Sequence, residues 1–199
     1  EVGMMPADSF VADLKPLTRP QICLDARWQD ASQLSLPPQL APWLLEPASL
    51  TARLKRHCQQ FRVQVLNEQR AVLPDFLQAL LPATADAQVR EVILWCDGLP
   101  CVYAQSWLPQ QTIQALRPLA DLGERPLGDY IFQQPDLRRG TIEVAELDIA
   151  TLHADMELLP LPAQTSCYAR RSVFRLNGLP LLVAEVFLPA LAQLDLAAL

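Results

Sequence analysis

The chain has no Cys-x-x-Cys pair, only two histidines, and no run of lysine or arginine longer than a pair. Each shortage removes a class of function. Closed zinc sites need about four thiolate or imidazole ligands at short spacings, and here His57 and His153 lie far apart, with only His57 beside a cysteine, Cys58. The five cysteines, Cys23, Cys58, Cys96, Cys101 and Cys167, are an odd set without a pairing pattern. Reduced thiols and no metal are predicted, rather than a disulfide framework. Charge speaks against nucleic acid: 16 basic against 22 acidic residues leave a formal net charge of -6, whereas phosphate neutralisation requires a basic face. No apolar run approaches the ~20 residues of a membrane helix; the longest, near 179–188, is interrupted by Glu185. The chain does not open on a basic segment followed by an apolar one, so no secretory signal is predicted and the expected compartment is the cytoplasm. Nor is there a phosphate loop. Gly123 to Gly128 lacks the Gly-Lys-Ser/Thr ending and carries Glu124, with Asp129 just beyond, so no nucleotide or other cofactor is expected.

What is present suffices for a core. Of 199 residues, 51% are hydrophobic and 19% charged, values that predict one globular domain. Residues 1–40, rich in Pro, Asp and Gln with little periodicity, predict an irregular arm, and residues 41–199 the domain itself. Ser49 is placed to cap a helix running through Leu50, Leu54 and His57 to about Gln60. The following Phe61-Arg-Val-Gln-Val alternates as a strand does. Thr112 to Leu122 predicts a helix bent or broken by Pro118 and stopped at Gly123. Pro126 to Phe132 predicts a second short helix or turn, Thr141 to Leu147 a weak strand, and residues from about 148 to 166 an insertion. Hairpins with helices grouped between them predict an α+β domain around an antiparallel sheet.

The hairpins come from a repeat. Asp97-Gly-Leu-Pro, Ala104 and Leu108-Pro109 recur as Asn177-Gly-Leu-Pro, Ala184 and Leu188-Pro189. Asp-Gly and Asn-Gly between apolar runs predict type I′ turns, whose two central residues need positive φ. Counting back from the first turn sets Arg90 opposite Gln105, on a face with Val92, Leu94, Cys96, Cys101 and Tyr103. The same count in the second hairpin sets Arg170 opposite Glu185, near Phe174, Leu181, Val183 and Phe187. The two polar pairs then occupy equivalent places. Glu185 is flanked by apolar residues on both faces of its strand and is predicted to be buried, where a carboxylate without a partner is costly. Two readings follow. Glu185 pairs with Arg170 and fixes register, or it forms one wall of a pocket in which an arginine grips a ligand carboxylate and Glu185 accepts from a ligand hydroxyl. Arg90 likewise reads as that arginine or as a solvated charge near a strand end. Cys96 and Cys101 read as small core residues, with no histidine near in sequence to activate them.

Six segments, taken in order, form a recognisable set. Arg90-Glu-Val-Ile-Leu, Asp97-Gly-x-Pro, Arg125-Pro-Leu-Gly-x-Tyr-x-Phe132, Ile142-Glu143, Arg170-Arg-Ser-x-Phe-Arg-Leu and Gly178-x-Pro-Leu-Leu-x-x-Glu-x-Phe-Leu-Pro189 resemble the chorismate pyruvate-lyase (4-hydroxybenzoate synthase) family, across about Trp43 to Pro189. The resemblance implies a single domain with a six-stranded antiparallel sheet, helices packed against it, and an enclosed product site under flaps. It implies a carbon–oxygen lyase that removes pyruvate from chorismate to leave 4-hydroxybenzoate, the first committed step towards ubiquinone in many Gram-negative bacteria. Neither cofactor nor metal is implied, the partners are substrate and product alone, and a monomer is expected. Site residues carry over as Arg90 for the ring carboxylate, Leu127 through its backbone, and Glu185 for the 4-hydroxyl. Leu50 stands where the best-known members have Met. Arg90 would anchor the substrate, and Glu185, or the substrate's own carboxylate, would accept the proton lost from the ring. A non-catalytic sensor or carrier of small aromatic acids on the same fold is the alternative, because fold does not fix function.

Overall fold

A computed structural model describes residues 20–148 and 166–197. Within them the chain forms the expected α+β domain around one antiparallel sheet, with six long strands and two short ones. The strands are β1 (Gln29–Asp30), β2 (Phe61–Val72), β3 (Asp86–Cys96), β4 (Leu99–Pro109), β5 (Arg138–Arg139), β6 (Glu143–Asp148), β7 (Ser166–Leu176) and β8 (Leu179–Phe187). Across the sheet the order is β1-β6-β7-β8-β4-β3-β2, with β5 added beside β7. The helices are α1 (Ala41–Leu44), α2 (Leu50–His57), α3 (Gln110–Ala115), α4 (Leu127–Ile131) and α5 (Leu191–Ala197). The predicted insertion at about 148–166, apart from its end residues, and residues 1–19 of the predicted arm lie outside the described residues; residues 20–40 of the arm hold β1 and a 3-10 turn at Ala31–Gln33.

Both turns form as the repeat predicts. Asp97 and Gly98 have φ of 50° and 78°, Asn177 and Gly178 51° and 74°, the left-handed pair that a two-residue hairpin needs. Cys96 faces Leu99, and Pro100 faces Trp95. One expectation is overturned between the turn and the site. Leu94 pairs with Val102 while Trp95 pairs with Pro100, so Cys101 is an extra residue on β4. A bulge of this kind sends every residue beyond it to the opposite face. Arg90 therefore faces Ser106, not Gln105; Gln105 faces Glu91, and Tyr103 lies with them on the other side of the sheet. In the second hairpin, without such a residue, Arg170 faces Glu185 as counted. The two pairs are thus not equivalent.

The sheet is covered on both faces. On one, Trp43, Leu44, Leu50 and Leu54 of the first two helices pack on Val92, Leu94, Cys96, Cys101 and Phe187, so these two thiols are core residues. On the other, Ile22 and Leu24, with Trp28, pack on Ile93, Tyr103, Ala184 and Val186. Ser49 caps α2, its hydroxyl accepting from the amide of Ala52 at 3.1 Å. The helix expected through about Gln60 stops at His57 because Asp97 Oδ1 accepts from the amides of Gln59 and Gln60, at 3.0 and 2.8 Å, and holds them outside the helix. The helix expected over Thr112 to Leu122, bent or broken by Pro118, is broken into two pieces. α3 ends at Ala115, Leu116 leaves the helical region (φ -121°, ψ 69°), and a 3-10 turn covers Arg117–Ala120. Pro118 has no amide hydrogen to donate back, and its ring would meet the preceding turn's carbonyl.

Candidate active site

The four residues singled out from the sequence line one cavity. Arg90 comes from β3, Glu185 from β8, Leu50 from the first turn of α2 and Leu127 from the first turn of α4. Val92, Leu94, Ala104, Ser106 and Val183 lie along the sheet side, and Phe132 and Phe174 add aromatic wall. This face can stay apolar because the bulge turns Gln105 away and leaves Ala104 and Ser106 under the cavity. An apolar cleft with a few convergent polar groups is the usual form of a small-molecule site.

Arg90 is 2% exposed and is held from two sides. Its Nη2 donates to the carbonyls of Gly123 and Arg125, both at 2.9 Å, and Nη1 meets Glu68 Oε2 at 3.3 Å. Glu68 lies directly opposite Arg90 on β2 because a second bulge, at Leu66, re-aims that strand. The loop that supplies the carbonyls turns at Gly123 (φ 57°) and is tied by Arg125, which donates to Leu122 and Asp121. Burial lowers the pKa of Arg90, and Glu68 opposes that fall. With three of its five N–H groups engaged by described residues, Arg90 can still meet a planar anion.

Glu185 is 9% exposed. Its Oε1 accepts from Arg170 Nε at 3.0 Å, while Oε2 accepts nothing from the described residues. Arg170 is itself fixed, Nη1 donating to the carbonyls of Trp43, Leu44 and Glu46 at 3.2, 3.2 and 2.7 Å. The two readings of Glu185 are thus compatible: it pairs with Arg170 and still presents an oxygen to the cavity.

Arg139, from β5, also lines the cavity, and sequence reasoning missed it. A two-residue strand carries no periodicity to read, and the basic pair Arg138-Arg139 resembles any exposed charge pair. Its Nε donates to Ser172 Oγ at 3.0 Å and its guanidinium stacks 4.8 Å from the centre of the Phe174 ring. Burial, then the neighbouring charge of Arg170, pull its pKa down to about 10, against the opposing pull of Glu185 and Glu46.

A second buried polar cluster lies behind the cavity, on the reverse of β3. Glu91, 0% exposed, accepts from the amide of Gln21 at 2.7 Å, from Tyr103 Oη at 3.0 Å and, more distantly, from Gln105 Nε2 at 3.4 Å. Gln105 Nε2 also donates to the carbonyl of Ile22 at 2.8 Å. This cluster fastens residues 21 and 22 to the sheet. Burial raises the pKa of Glu91, partly offset by these hydrogen bonds.

Among the described residues no helix is long and apolar enough to cross a membrane. Solved structures of the same fold include the effector domain of PhnF from Mycobacterium smegmatis, at 17% identity and a TM-score of 0.54 over 71% of this chain and 89% of that one. Another is the ligand-binding domain of a putative GntR-family regulator from Bordetella bronchiseptica, at 16% identity and 0.51 over 66% and 86%. At such identities the likeness is one of fold alone. Sequence relatives are far nearer. A probable chorismate pyruvate-lyase of Pseudoalteromonas translucida is 48% identical over 84% of this chain and 94% of its own length. Another, of an Azoarcus species, is 40% identical over 82% and 93%. The chorismate lyase family model matches residues 22–194, from the first residues fastened by Glu91 to the last helix, and the chain belongs to that family.

Proposed function

We propose that the chain is a chorismate pyruvate-lyase, converting chorismate to 4-hydroxybenzoate and pyruvate in the cytoplasm as the first step of ubiquinone biosynthesis. The observation that carries the reading is the placement of Arg90 and Glu185 on strands either side of β4, facing one cavity. Two strand spacings and a two-residue stagger separate their backbones by roughly 12 Å, a span that two inward-reaching side chains reduce to that of a para-substituted ring. Arg90 holds the ring carboxylate, Glu185 Oε2 accepts from the 4-hydroxyl, and Leu50 and the Leu127 backbone confine the ring. The backbone part suits Leu127 because the first amides of a helix have no acceptor within it.

The reaction makes the ring aromatic and runs downhill, so the protein's task is orientation, exclusion of water and acceptance of one proton. Glu185, or the substrate's own side-chain carboxylate, takes the proton from C4. Incubation of the purified protein with chorismate, with 4-hydroxybenzoate and pyruvate both followed, tests the reading. Equimolar release of the two is expected. A sensor or carrier of the same fold would bind 4-hydroxybenzoate and leave chorismate intact. Glu185→Gln is expected to lower turnover roughly 100- to 10,000-fold, the range for removal of a general base; near-normal turnover would assign the proton to the substrate's carboxylate instead.

A further inference from the structure

The cavity holds more positive charge than one carboxylate of an aromatic product can use. Three guanidiniums, of Arg90, Arg139 and Arg170, and one carboxylate, of Glu185, line it, a surplus of two positive charges. Two of the arginines stand together. Arg139 uses Nε on Ser172 and Nη1 on the carbonyls of Glu46 and Pro47, at 3.4 and 3.3 Å, and Arg170 uses Nε on Glu185 and Nη1 on three carbonyls. Neither Nη2 donates to a described residue. Among the described residues the one buried side-chain nitrogen or oxygen without a partner is Arg53 Nε, so these two amino groups are not sealed inside protein. Their proximity is registered in the depressed pKa of Arg139, to which the charge of Arg170 contributes. Like charges held side by side in a partly buried site are costly unless an anion joins them.

The sheet order says which part of a ligand they meet. Arg90 is on β3, Glu185 on β8, Arg170 on the next strand, β7, and Arg139 beyond it on β5. The unspent donors therefore lie on the Glu185 side, away from Arg90. In chorismate the enolpyruvyl ether is on C3, the carbon next to the one bearing the hydroxyl. A ring with its carboxylate on Arg90 and its hydroxyl on Glu185 sends that side chain out beside Glu185.

We propose that Arg139, with Arg170 beside it, binds the second carboxylate of the substrate, the one on the enolpyruvyl ether, and keeps hold of it as that group leaves. The inference rests on the lyase reading above. In the elimination the base removes the C4 proton, and the C–H electron pair becomes ring π density. The C3–O bond breaks with its pair going to the ether oxygen, which departs as the enolate of pyruvate and takes up a proton on carbon. The carboxylate that Arg139 holds is the same before and after, while negative charge grows on the oxygen next to it, where a fixed cation is most effective.

Substrate and product differ in this second carboxylate, and the test uses that difference. For Arg139→Gln, kcat/KM for chorismate is expected to fall roughly 10- to 100-fold, as for the loss of a charged hydrogen bond, while the Kd for 4-hydroxybenzoate, by calorimetry, changes less than about threefold. Arg139→Lys, which keeps the charge but not the fork, is expected to recover part of the loss. Unchanged kcat/KM in Arg139→Gln overturns the proposal. So does an equal loss for substrate and product, which marks a merely structural arginine, and so does an Arg139→Lys variant that folds, binds product and is no better than the glutamine variant. A wild-type protein inert towards chorismate overturns the parent reading instead, before any variant is made.

Discussion

Glu91 and Arg90 are neighbours in the chain, yet they serve opposite faces of the sheet, one fastening residues 21 and 22 and the other lining the cavity. Turn counting alone pairs Gln105 with Arg90; in the sheet it belongs with Glu91. The raised pKa of Glu91 has a direct consequence for stability. The unfolded chain releases this proton near 4.5, while the folded protein retains it to higher pH. Stability from the protonated form is therefore fully present below 4.5 and is lost as pH rises towards the folded value. Glu91→Gln removes that dependence. The melting temperature of the wild type relative to this variant is expected to fall as pH is raised from about 4.5, in paired calorimetric scans; a difference flat with pH would show that Glu91 titrates alike in both states. At this scale Glu185 was legible, because a charge inside an apolar run has few explanations. Arg139 and Glu68 were not. One sits on a strand too short to show a pattern, and the other reaches Arg90 only through the bulge at Leu66.

Among the elements, α2 and α4 meet closely beside the cavity. A Cβ added at Gly128 would come within 3.3 Å of both Ser49 Oγ and Thr51 Oγ1, tighter than ordinary contact. These hydroxyls flank Leu50, and Gly128 follows Leu127, so the contact sets the gap between two walls of the cavity. Gly128→Ala is expected to move those walls apart by a few tenths of an ångström and to lower kcat/KM by roughly tenfold or less, given that a 1 Å misplacement costs about 100-fold. Steady-state kinetics on a variant with near-native melting temperature would show it. Ser49→Ala, by contrast, removes a cap and is expected to cost about 1 kcal/mol of stability by denaturant titration. The hairpins and the cap were readable because each rests on a local rule: positive φ at Asp97-Gly98, a hydroxyl before a helix. So was the break before Pro118, which rests on a missing amide hydrogen; the bulge at Cys101 follows no such local rule and is not marked by a glycine.

For the molecule as a whole, an acidic chain of formal net charge -6 surrounds a cavity whose lining is cationic. Folding places those guanidiniums among apolar walls, where an anionic ligand is worth more than at the surface. A ligand that binds the folded state alone adds about 2.7 kcal/mol at a concentration 100 times its Kd. For a chain of this size that is a rise of about 5–11 °C in melting temperature, so 4-hydroxybenzoate is expected to shift the thermal transition by this amount, and Arg90→Ala to abolish most of the shift. The bulge at Cys101 sets what surrounds Arg90 in this lining, since it keeps Gln105 out of the cavity. Two hairpins written in nearly the same letters would, if folded alike, offer the cavity the same two kinds of group twice. One residue left unpaired, Cys101, makes them complements instead of copies: the first contributes a cation with an apolar floor, the second a cation already joined to an acid. The two hairpins keep one offset of 80 residues from Arg90 and Arg170 through Pro109 and Pro189, so the difference between them lies in the pairing: Cys101 is left out of the ladder, while its counterpart Leu181 pairs with Phe174.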